Sequence, residues 1–278
     1  MHARLPVHTF NDAMTPVATL VNEGLLLPDE EQLRIHGVTP DRTATVTVAL
    51  DSDEFTTYTP ADQPVGIDAT TLAAFLDIFS PTAPLNCTSP PHSDLVTLST
   101  AAMQYRAEPT DPQYVRRRDT DIPPEQPHIS VTIPSDFDPL TDSLRAAGLC
   151  SQTIRIHTNQ DDPLLGFTAS GATDSMRYQV HQDDLRSTDT TTTTAVYPLD
   201  KLRQMYESLT PRTEALTVLI DNEQTLTLTA SHSQSSIQTR FTLEPYATAS
   251  EYKNTKDDAT PSPLAYRTQK ERRMSADT

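Results

Sequence analysis

The chain carries one pattern of secondary-structure elements twice, and this repeat limits the possible folds more than any single motif does. Each half is predicted to contain a short helix, several thin strands, a second helix and further strands. The clearest copies are residues 64 to 79 and 195 to 209, where a strand leads through an aspartate, Asp68 or Asp200, into an amphipathic helix. A duplicated unit predicts two similar domains side by side, and such chains often build rings or arrays.

Two domains and two polar segments are predicted from the 278 residues. A chain of this length divides naturally into two domains that each bury a core. Residues 1 to 108 form the first predicted domain, and residues 128 to 247 form the second. Between them, residues 109 to 127 mix prolines with charges, including three arginines at 116 to 118, which is typical of a linker. The polar tail, residues 248 to 278, has no apolar periodicity and is predicted to be disordered.

The spacing of apolar residues predicts four helices and many short strands. Asn11 or Asp12 is the expected N-cap of the first helix. Strict alternation predicts a strand over residues 43 to 50, whereas the proline-rich residues 80 to 93 are predicted to be a loop. The four helices are predicted at residues 9 to 22, 68 to 79, 136 to 148 and 199 to 209.

The charge composition indicates a protein suited to concentrated salt. The formal net charge is −17, and only four of the 21 basic residues are lysines. Acidic, lysine-poor, threonine-rich chains stay soluble in molar salt because hydrated carboxylates cover their surface, so we expect a halophilic setting. An acidic protein of ordinary salt is the alternative. No apolar run is long enough to span a membrane and no signal peptide is recognised, so a cytoplasmic location is expected.

Motifs of catalysis or cofactor binding are not found in the sequence. Histidine and aspartate cluster at residues 157 to 162 and 181 to 184, but neither cluster has a metal-ligand framework or a neighbouring nucleophile. Six glycines form no phosphate-binding loop. Cys87 and Cys150 fall in different domains and predict neither a disulfide nor a metal site. We therefore expect no enzyme activity, cofactor or metal; a hydrolase that uses the histidine and aspartate clusters is the enzymatic alternative.

Four segments resemble the PCNA-type DNA sliding clamps (the proliferating cell nuclear antigen family), and haloarchaeal members especially. Residues 33 to 50 resemble the family's strand, short central loop and strand. Gly66-Ile67-Asp68 looks like the family's Gly-Val-Asn helix start, and residues 119 to 123 resemble the end of its interdomain connector. Residues 241 to 245 are similar to its C-terminal Tyr-X-Leu-Ala-Pro, with Glu244 in place of the alanine.

This resemblance implies an α+β fold with two similar clamp domains per chain, antiparallel sheets outside and four helices inside, closing as a homotrimeric ring. It implies a processivity factor without bond chemistry or cofactor, which encircles double-stranded DNA regardless of sequence. A DNA polymerase, a clamp loader and other replication and repair proteins would dock through a short peptide motif. The expected setting is the cytoplasm of an archaeal cell, or of a host cell if a virus encodes the chain. The alternative is a non-enzymatic halophilic structural or interaction protein with a duplicated β-rich domain.

The resemblance also suggests three sets of site residues. From the residues alone, it stays open whether Val38 and Leu243, which the partner-pocket set below includes, are simply core residues. It also stays open whether the two strands of the trimer-interface set below pair inside the chain instead. The DNA-binding residues are expected to be Arg145, Lys201 and Arg203, because cations contact phosphates without reading sequence. The trimer interface is expected to be edge-to-edge strand pairing through Met103, Tyr105, Met176, Tyr178 and Val180. The partner-peptide pocket is expected to be lined by Val38, Thr39, Pro40, Arg42, Thr45, Ile122, Pro123, Leu243, Glu244 and Pro245.

Overall fold

The described part of the computed structural model contains eighteen β-strands and four α-helices. The described residues are 1–89, 95–117, 129–134, 139–159, 164–181, 187–190, 193–209, 213–221, 223–232 and 235–246. The first half contains β1 (His2–Pro6), α1 (Val7–Leu20), β2 (Glu23–Pro28), β3 (Gln32–Val38), β4 (Ala44–Asp51), β5 (Thr57–Thr59), β6 (Val65–Asp68), α2 (Ala69–Leu76), β7 (Pro84–Thr88), β8 (Val96–Ser99) and β9 (Gln104–Ala107). The second half contains β10 (Ile129–Pro134), α3 (Pro139–Cys150), β11 (Thr153–Asn159), β12 (Leu164–Ser170), β13 (Ser175–His181), β14 (Ser187–Thr190), β15 (Thr193–Pro198), α4 (Leu199–Leu209), β16 (Thr213–Ile220), β17 (Leu226–His232) and β18 (Ile237–Leu243).

The two halves have the same element order, nine strands and two helices each, and closely matching strand registers. β2 pairs with β6, and β11 pairs with β15. Adding 130 to each residue number of the first pair gives the register of the second pair. A backbone hydrogen bond at the start of each second helix repeats with the same offset. Ala69 N donates to Asn22 O at 2.8 Å, and Leu199 N donates to Gln152 O at 2.9 Å. The predicted duplication is therefore confirmed at the level of individual residues.

The strands form three antiparallel sheets, and the largest of them joins the two halves. The first half contributes a five-stranded sheet, β5-β1-β7-β8-β9, and the second half contributes a four-stranded sheet, β13-β12-β11-β15. The third sheet has nine strands in the order β14-β10-β16-β17-β18-β4-β3-β2-β6. It is a five-stranded unit of the second half continued by a four-stranded unit of the first half. The junction is the antiparallel pair β18–β4, in which Phe241 lies opposite Val46.

The alternation of side chains along β4 explains how this junction is buried. Ala44, Val46, Val48 and Leu50 point to one face and are each 0% exposed. Burial of a valine or leucine side chain stabilises the folded state by about 1.5–3 kcal/mol, so one such strand contributes several kcal/mol. The strand that alternation predicted over residues 43 to 50 is thus confirmed, with a shift of one residue. The same buried core runs without interruption through both halves.

The four helices lie side by side in the order α2, α1, α4, α3, since α1 packs against α2 and α4, and α4 packs against α3. α1 packs on the nine-stranded sheet through Phe10, Met14 and Val17, all 0% exposed. α2 begins after Asp68, whose Oδ1 accepts a hydrogen bond from Thr71 N at 2.8 Å, which is an N-cap. The helices therefore form one layer over the sheets, as the predicted fold class requires.

Several bounds differ from the prediction. α1 begins at Val7, directly after β1 and without a side-chain cap, so the expected caps Asn11 and Asp12 lie inside the helix. Asn11 Nδ2 instead donates to Asp77 Oδ1 at 2.9 Å, beyond the end of α2. Strand β7 occupies part of the segment predicted to be a loop, because β7 pairs with β1 far away in the sequence.

Other differences concern the second half. Asp200 lies in the first turn of α4, which begins at Leu199, so it does not cap the helix from outside. The threonine-rich segment before α4 forms strands β14 and β15. The end of the predicted connector, residues 118 to 127, and the predicted tail, residues 248 to 278, lie outside the described residues.

Candidate interaction surfaces

The layer of four helices is nearly balanced in charge. Its basic side chains are the three predicted DNA contacts, Arg145, Lys201 and Arg203. Four acidic residues oppose them, so the helices carry a slight negative formal charge when His8 is neutral. A surface of this kind attracts phosphates weakly, because non-specific affinity for DNA comes from cations that neutralise phosphates. The four acidic residues are Asp12, Asp142, Asp200 and Glu207.

Two of the three predicted DNA contacts bind carboxylates of the chain itself. Lys201, in the first turn of α4, forms an ion pair with Asp41 and also donates to Thr43 Oγ1. Arg203 Nη2 lies 3.2 Å from Glu207 Oε1, one turn further along the same helix. Arg145 on α3 is exposed. The structure thus brings Lys201 to the loop between β3 and β4.

We call residues 39 to 43, between β3 and β4, together with Ala44 at the start of β4, the central loop. Its ends are closed by a bond from Thr39 N to Ala44 O at 3.0 Å. Asp41 organises the interior, since its Oδ1 accepts from Thr39 Oγ1 at 2.7 Å and from Thr43 Oγ1 at 2.9 Å. Arg42 has a φ of 60°, in the left-handed region that disfavours residues other than glycine. Such a conformation persists only where surrounding bonds hold it.

The electrostatics of Asp41 follow from these bonds. Partial desolvation raises the pKa of its carboxyl, but the hydrogen bonds from Lys201, Thr39 and Thr43 outweigh that effect. The net result holds the pKa of Asp41 well below its ordinary value. Asp41 is therefore ionised at neutral pH.

The predicted partner-pocket residues divide into a buried set and an exposed set. Pro40 and Arg42 are exposed, and Glu244 and Pro245 are half-buried. Glu244 N donates to Thr43 O at 2.8 Å, so the end of β18 lies beside the central loop. Ile122 and Pro123 lie outside the described residues. The buried set is Val38 at 5%, Thr39 at 4%, Thr45 at 1% and Leu243 at 0% exposure.

The buried set lies in the core beneath the surface where the partner pocket was predicted. Thr45 and Thr242 face each other across the β4–β18 ladder, and their hydroxyl oxygens are 2.5 Å apart. Tyr246, which the predicted pocket set does not include, is 71% exposed directly after Pro245. Its N donates to Val196 O at 2.7 Å, which fixes the chain as it leaves β18. An aromatic residue after the Glu-Pro pair was the available signal.

The predicted interface residues lie on two strands at the ends of their sheets. β9 ends the five-stranded sheet and β13 ends the four-stranded sheet, as far as the structure describes them. Met103 is 41% exposed, while Tyr105 stacks on Phe75 of α2 with ring centroids 3.9 Å apart. Met176 and Tyr178 on β13 are half-buried. Val180 is 1% exposed and belongs to the core of its own domain.

The repeat relates these two edges to the internal junction β18–β4. In the first half, Tyr105 of β9 lies opposite Leu98 of β8; in the second half, Phe241 of β18 lies opposite Leu228 of β17. Tyr105 is therefore the repeat of Phe241. The same comparison of ladders puts β13 in the place of β4, with Met176 equivalent to Val46. The chain leaves β9 and β18 in the same way. Glu108-Pro109 follows β9 as Glu244-Pro245 follows β18.

Metal-ligand clusters and membrane-spanning helices are absent from the described residues. No three His, Cys, Asp or Glu side chains there come together as metal ligands. His157 lies over Gly166, where a Cβ would come within 2.2 Å of its ring. Burial, and then the positive charges of Arg177 and Arg155, lower the pKa of His157. The aspartates of the two sequence clusters lie outside the described residues. None of the described helices has the length and apolar character needed to cross a membrane.

Comparisons with known proteins agree with this fold. No family model matches the chain. It is 23% identical over 209 residues to a DNA polymerase sliding clamp of Methanosphaerula palustris, covering 75% of this chain and 83% of the relative. A DNA polymerase sliding clamp of Haloarcula marismortui is 22% identical over 208 residues, covering 75% and 83%.

Two solved structures show the same architecture. One is the PCNA of A. fulgidus bound to the C-terminal region of FEN-1, with a TM-score of 0.77 and 15% identity over 89% of this chain and 99% of that one. The other is the PCNA2–PCNA3 complex of Sulfolobus tokodaii, with a TM-score of 0.71 and 13% identity over 88% and 99%. The expected resemblance to PCNA-type clamps and the expected fold class are confirmed.

Proposed function

We propose that this chain, which has the fold of the PCNA-type sliding clamps, is a sliding clamp for a DNA polymerase. In this function three copies close into a ring around duplex DNA and hold a polymerase on its template. The named relatives and the agreement of fold over nearly nine-tenths of the chain support this conclusion. Clamps of this kind act by binding, so no enzymatic activity is proposed.

The observation that carries the proposal is the internal junction between the halves. β18 of the second half joins β4 of the first half, and β9 and β13 are the repeats of those two strands. A β9 edge of one subunit can therefore join a β13 edge of the next as β18 joins β4. Each chain has one edge of each kind, so the contact is head-to-tail and generates a closed ring when the rotation fits. Three chains then supply six similar units.

The helix layer supports the same assembly. Across the internal junction α1 packs against α4, and the repeats of these two helices are α3 and α2. The ring contact would thus place α3 of one subunit beside α2 of the next. Met205 on α4 is 1% exposed, whereas the equivalent Phe75 on α2 is half-buried, and Ile78 just beyond α2 is 61% exposed. These apolar side chains fit a surface that a neighbouring subunit covers.

The nearly balanced charge of the helix layer fits a clamp that stays on DNA because its closed ring encircles the duplex. A closed ring cannot leave a circular duplex, so it needs little affinity for phosphates, and weak contact favours sliding. At molar salt the Debye length falls to about 3 Å, and long-range attraction would be screened in any case. The net charge of −17 and the scarcity of lysine support a halophilic cytoplasm as the working environment.

Partner proteins would dock beside the central loop. Pro40, Arg42 and the Glu244-Pro245 pair form a surface at the junction of the two halves, and Tyr246 extends it. A short helical turn with apolar anchors fits such a surface. The similar clamp of A. fulgidus was solved with the C-terminal region of FEN-1 bound, which supports a peptide as the ligand.

Two measurements test the function. Light scattering in molar KCl should give a trimer near 90 kDa for a 30.7 kDa chain, at micromolar concentration. The same protein should increase the product length of a cognate polymerase on primed circular DNA. A stable monomer without effect on product length would refute the proposed clamp and favour a structural or interaction protein.

A further inference from the structure

The central loop and helix α4 are joined by a bond network that crosses the domain junction. Lys201 donates to Asp41 Oδ2 and to Thr43 Oγ1. Thr43 in turn donates to Asp41 Oδ1, so the three side chains close a ring of hydrogen bonds. The Lys201 side chain is only 18% exposed, whereas that of Asp41 is 54% exposed. The ammonium group is thus turned toward the loop.

This network also reaches Glu244, which lies beside the central loop on the proposed docking surface. Thr43 O accepts from Glu244 N, which begins the Glu-Pro segment after β18. Arg42, between Asp41 and Thr43, keeps its left-handed backbone while its N donates to Thr39 O at 2.9 Å. A displacement of Asp41 would therefore change both the backbone at Arg42 and the position of the loop relative to β18.

The other repeat differs from this network in its loop and in its helix. The loop equivalent to residues 39 to 44 joins β12 to β13 and is two residues shorter, with Gly171 N bonded to Asp174 O at 2.8 Å. The position of Lys201 in α4 corresponds to Thr71 in α2. Thr71 Oγ1 donates at 2.8 Å to Asp68, the cap of its own helix. Because Thr71 is uncharged, the other repeat has no counterpart of the Lys201 ion pair.

We propose that Lys201 is a positioning residue for partner docking: it holds Asp41 and thereby sets the shape of the central loop. This inference rests on the proposed function, because it assumes that partners dock beside that loop. It replaces the expectation that Lys201 contacts DNA. Since its ammonium group already binds a carboxylate and a hydroxyl, a phosphate would have to displace both. Arg145 and Arg203 remain the exposed cations of the described helices.

The test uses the full chain in molar KCl with three variants. Lys201→Met removes the charge and keeps the length of the side chain, and Lys201→Arg restores a cation. Arg203→Met is the matched control, since it removes a cation from the same helix whose partner, Glu207, lies outside the loop. The probes are a labelled peptide from the C-terminal region of FEN-1, amide hydrogen exchange of residues 39 to 45, and binding to a plain DNA duplex.

The Lys201→Met variant should weaken peptide binding about 3- to 10-fold, as expected for loss of a partly exposed charged pair that shapes the site. Amides of Arg42 and Ala44 should exchange faster by a similar factor, and duplex binding should stay unchanged. Lys201→Arg should recover at least half of both effects. Arg203→Met should change peptide affinity and loop exchange less than twofold.

Two results would overturn the proposal. Equal loss of peptide affinity in Lys201→Met and Arg203→Met would indicate a general charge effect. Normal loop exchange together with weaker duplex binding in Lys201→Met would make Lys201 a DNA contact. The wild-type chain separates this failure from failure of the function itself. If it forms trimers and extends polymerase products while Lys201→Met docks normally, only the positioning role is refuted.

Discussion

Replacing Tyr105 by alanine should weaken each joint of the proposed ring. Tyr105 is the repeat of Phe241, which is 0% exposed in the internal junction, but its own strand lies at an edge. Tyr105 is half-buried, and we take about 70 Å² of the roughly 200 Å² of a tyrosine side chain as the further surface that pairing would bury. At about 25 cal/mol per Å² this corresponds to about 1.8 kcal/mol per joint, or about a 20-fold weaker joint.

Sedimentation over a range of concentrations in molar KCl measures this change. A ring has three such joints, and the midpoint concentration of a trimer–monomer transition scales with the square root of the trimer dissociation constant, so Tyr105→Ala should shift the transition to about 90-fold higher concentration. Phe241→Ala is the internal counterpart and should instead lower the free energy of unfolding by about 3–5 kcal/mol, because its cavity lies inside one chain. Tyr114→Ala serves as the control, since Tyr114 is 75% exposed and lies outside β9. Trimerisation of Tyr105→Ala at the wild-type concentration would refute the assignment of the β9 edge.

Three further predictions use other contacts. Cysteines at Arg106 and Ser175, the repeats of Thr242 and Thr45, should form disulfides between subunits, seen as covalent trimers on a non-reducing gel; a gel that shows only monomers under oxidation excludes this register. Asp41→Asn should lower the free energy of unfolding at pH 7 by about 0.2–1 kcal/mol, since the pair is partly exposed. The depressed pKa of Asp41 gives stability that is present above its unfolded pKa and is lost as pH falls. The difference in unfolding free energy between wild type and Asp41→Asn, measured by urea titration, should therefore shrink below about pH 4. A difference that stays constant with pH would contradict this role of Asp41. Gly66→Ala should release the segment after β9, because a Cβ there would lie 2.0 Å from Thr110 O, and protease cleavage near residue 110 should become faster than in a Gly148→Ala control.

Much of the fold could be predicted from local patterns. Alternation gave β4 to within one residue, and helical spacing located four helices to within a few residues. These predictions succeed because burial of one face imposes a period on the sequence. The bounds of α1 were less accurate, because a strand packed directly before the helix replaces the side-chain cap that the prediction used.

The candidate sites were less predictable. Apolar alternation led to the prediction that the edges β9 and β13 pair with each other, but no local pattern fixes the register of such a pair. Lys201 and Asp41 are 160 positions apart, and no local pattern assigns a lysine on a helix to a distant carboxylate. For the same reason Val38 and Leu243 could be taken as pocket residues, although they lie in the core beneath it.

By itself the sequence determined that the chain has two copies of one unit, an acidic surface and a set of half-buried strands and helices. These follow from periodicity and composition, which each residue carries without reference to distant partners. Only the tertiary structure decided that the halves share a nine-stranded sheet through β18 and β4, and that the repeats of those strands lie at the ends of their sheets among the described strands. Strand pairing is non-local: an alternating pattern records which face is buried but not which strand lies beside it.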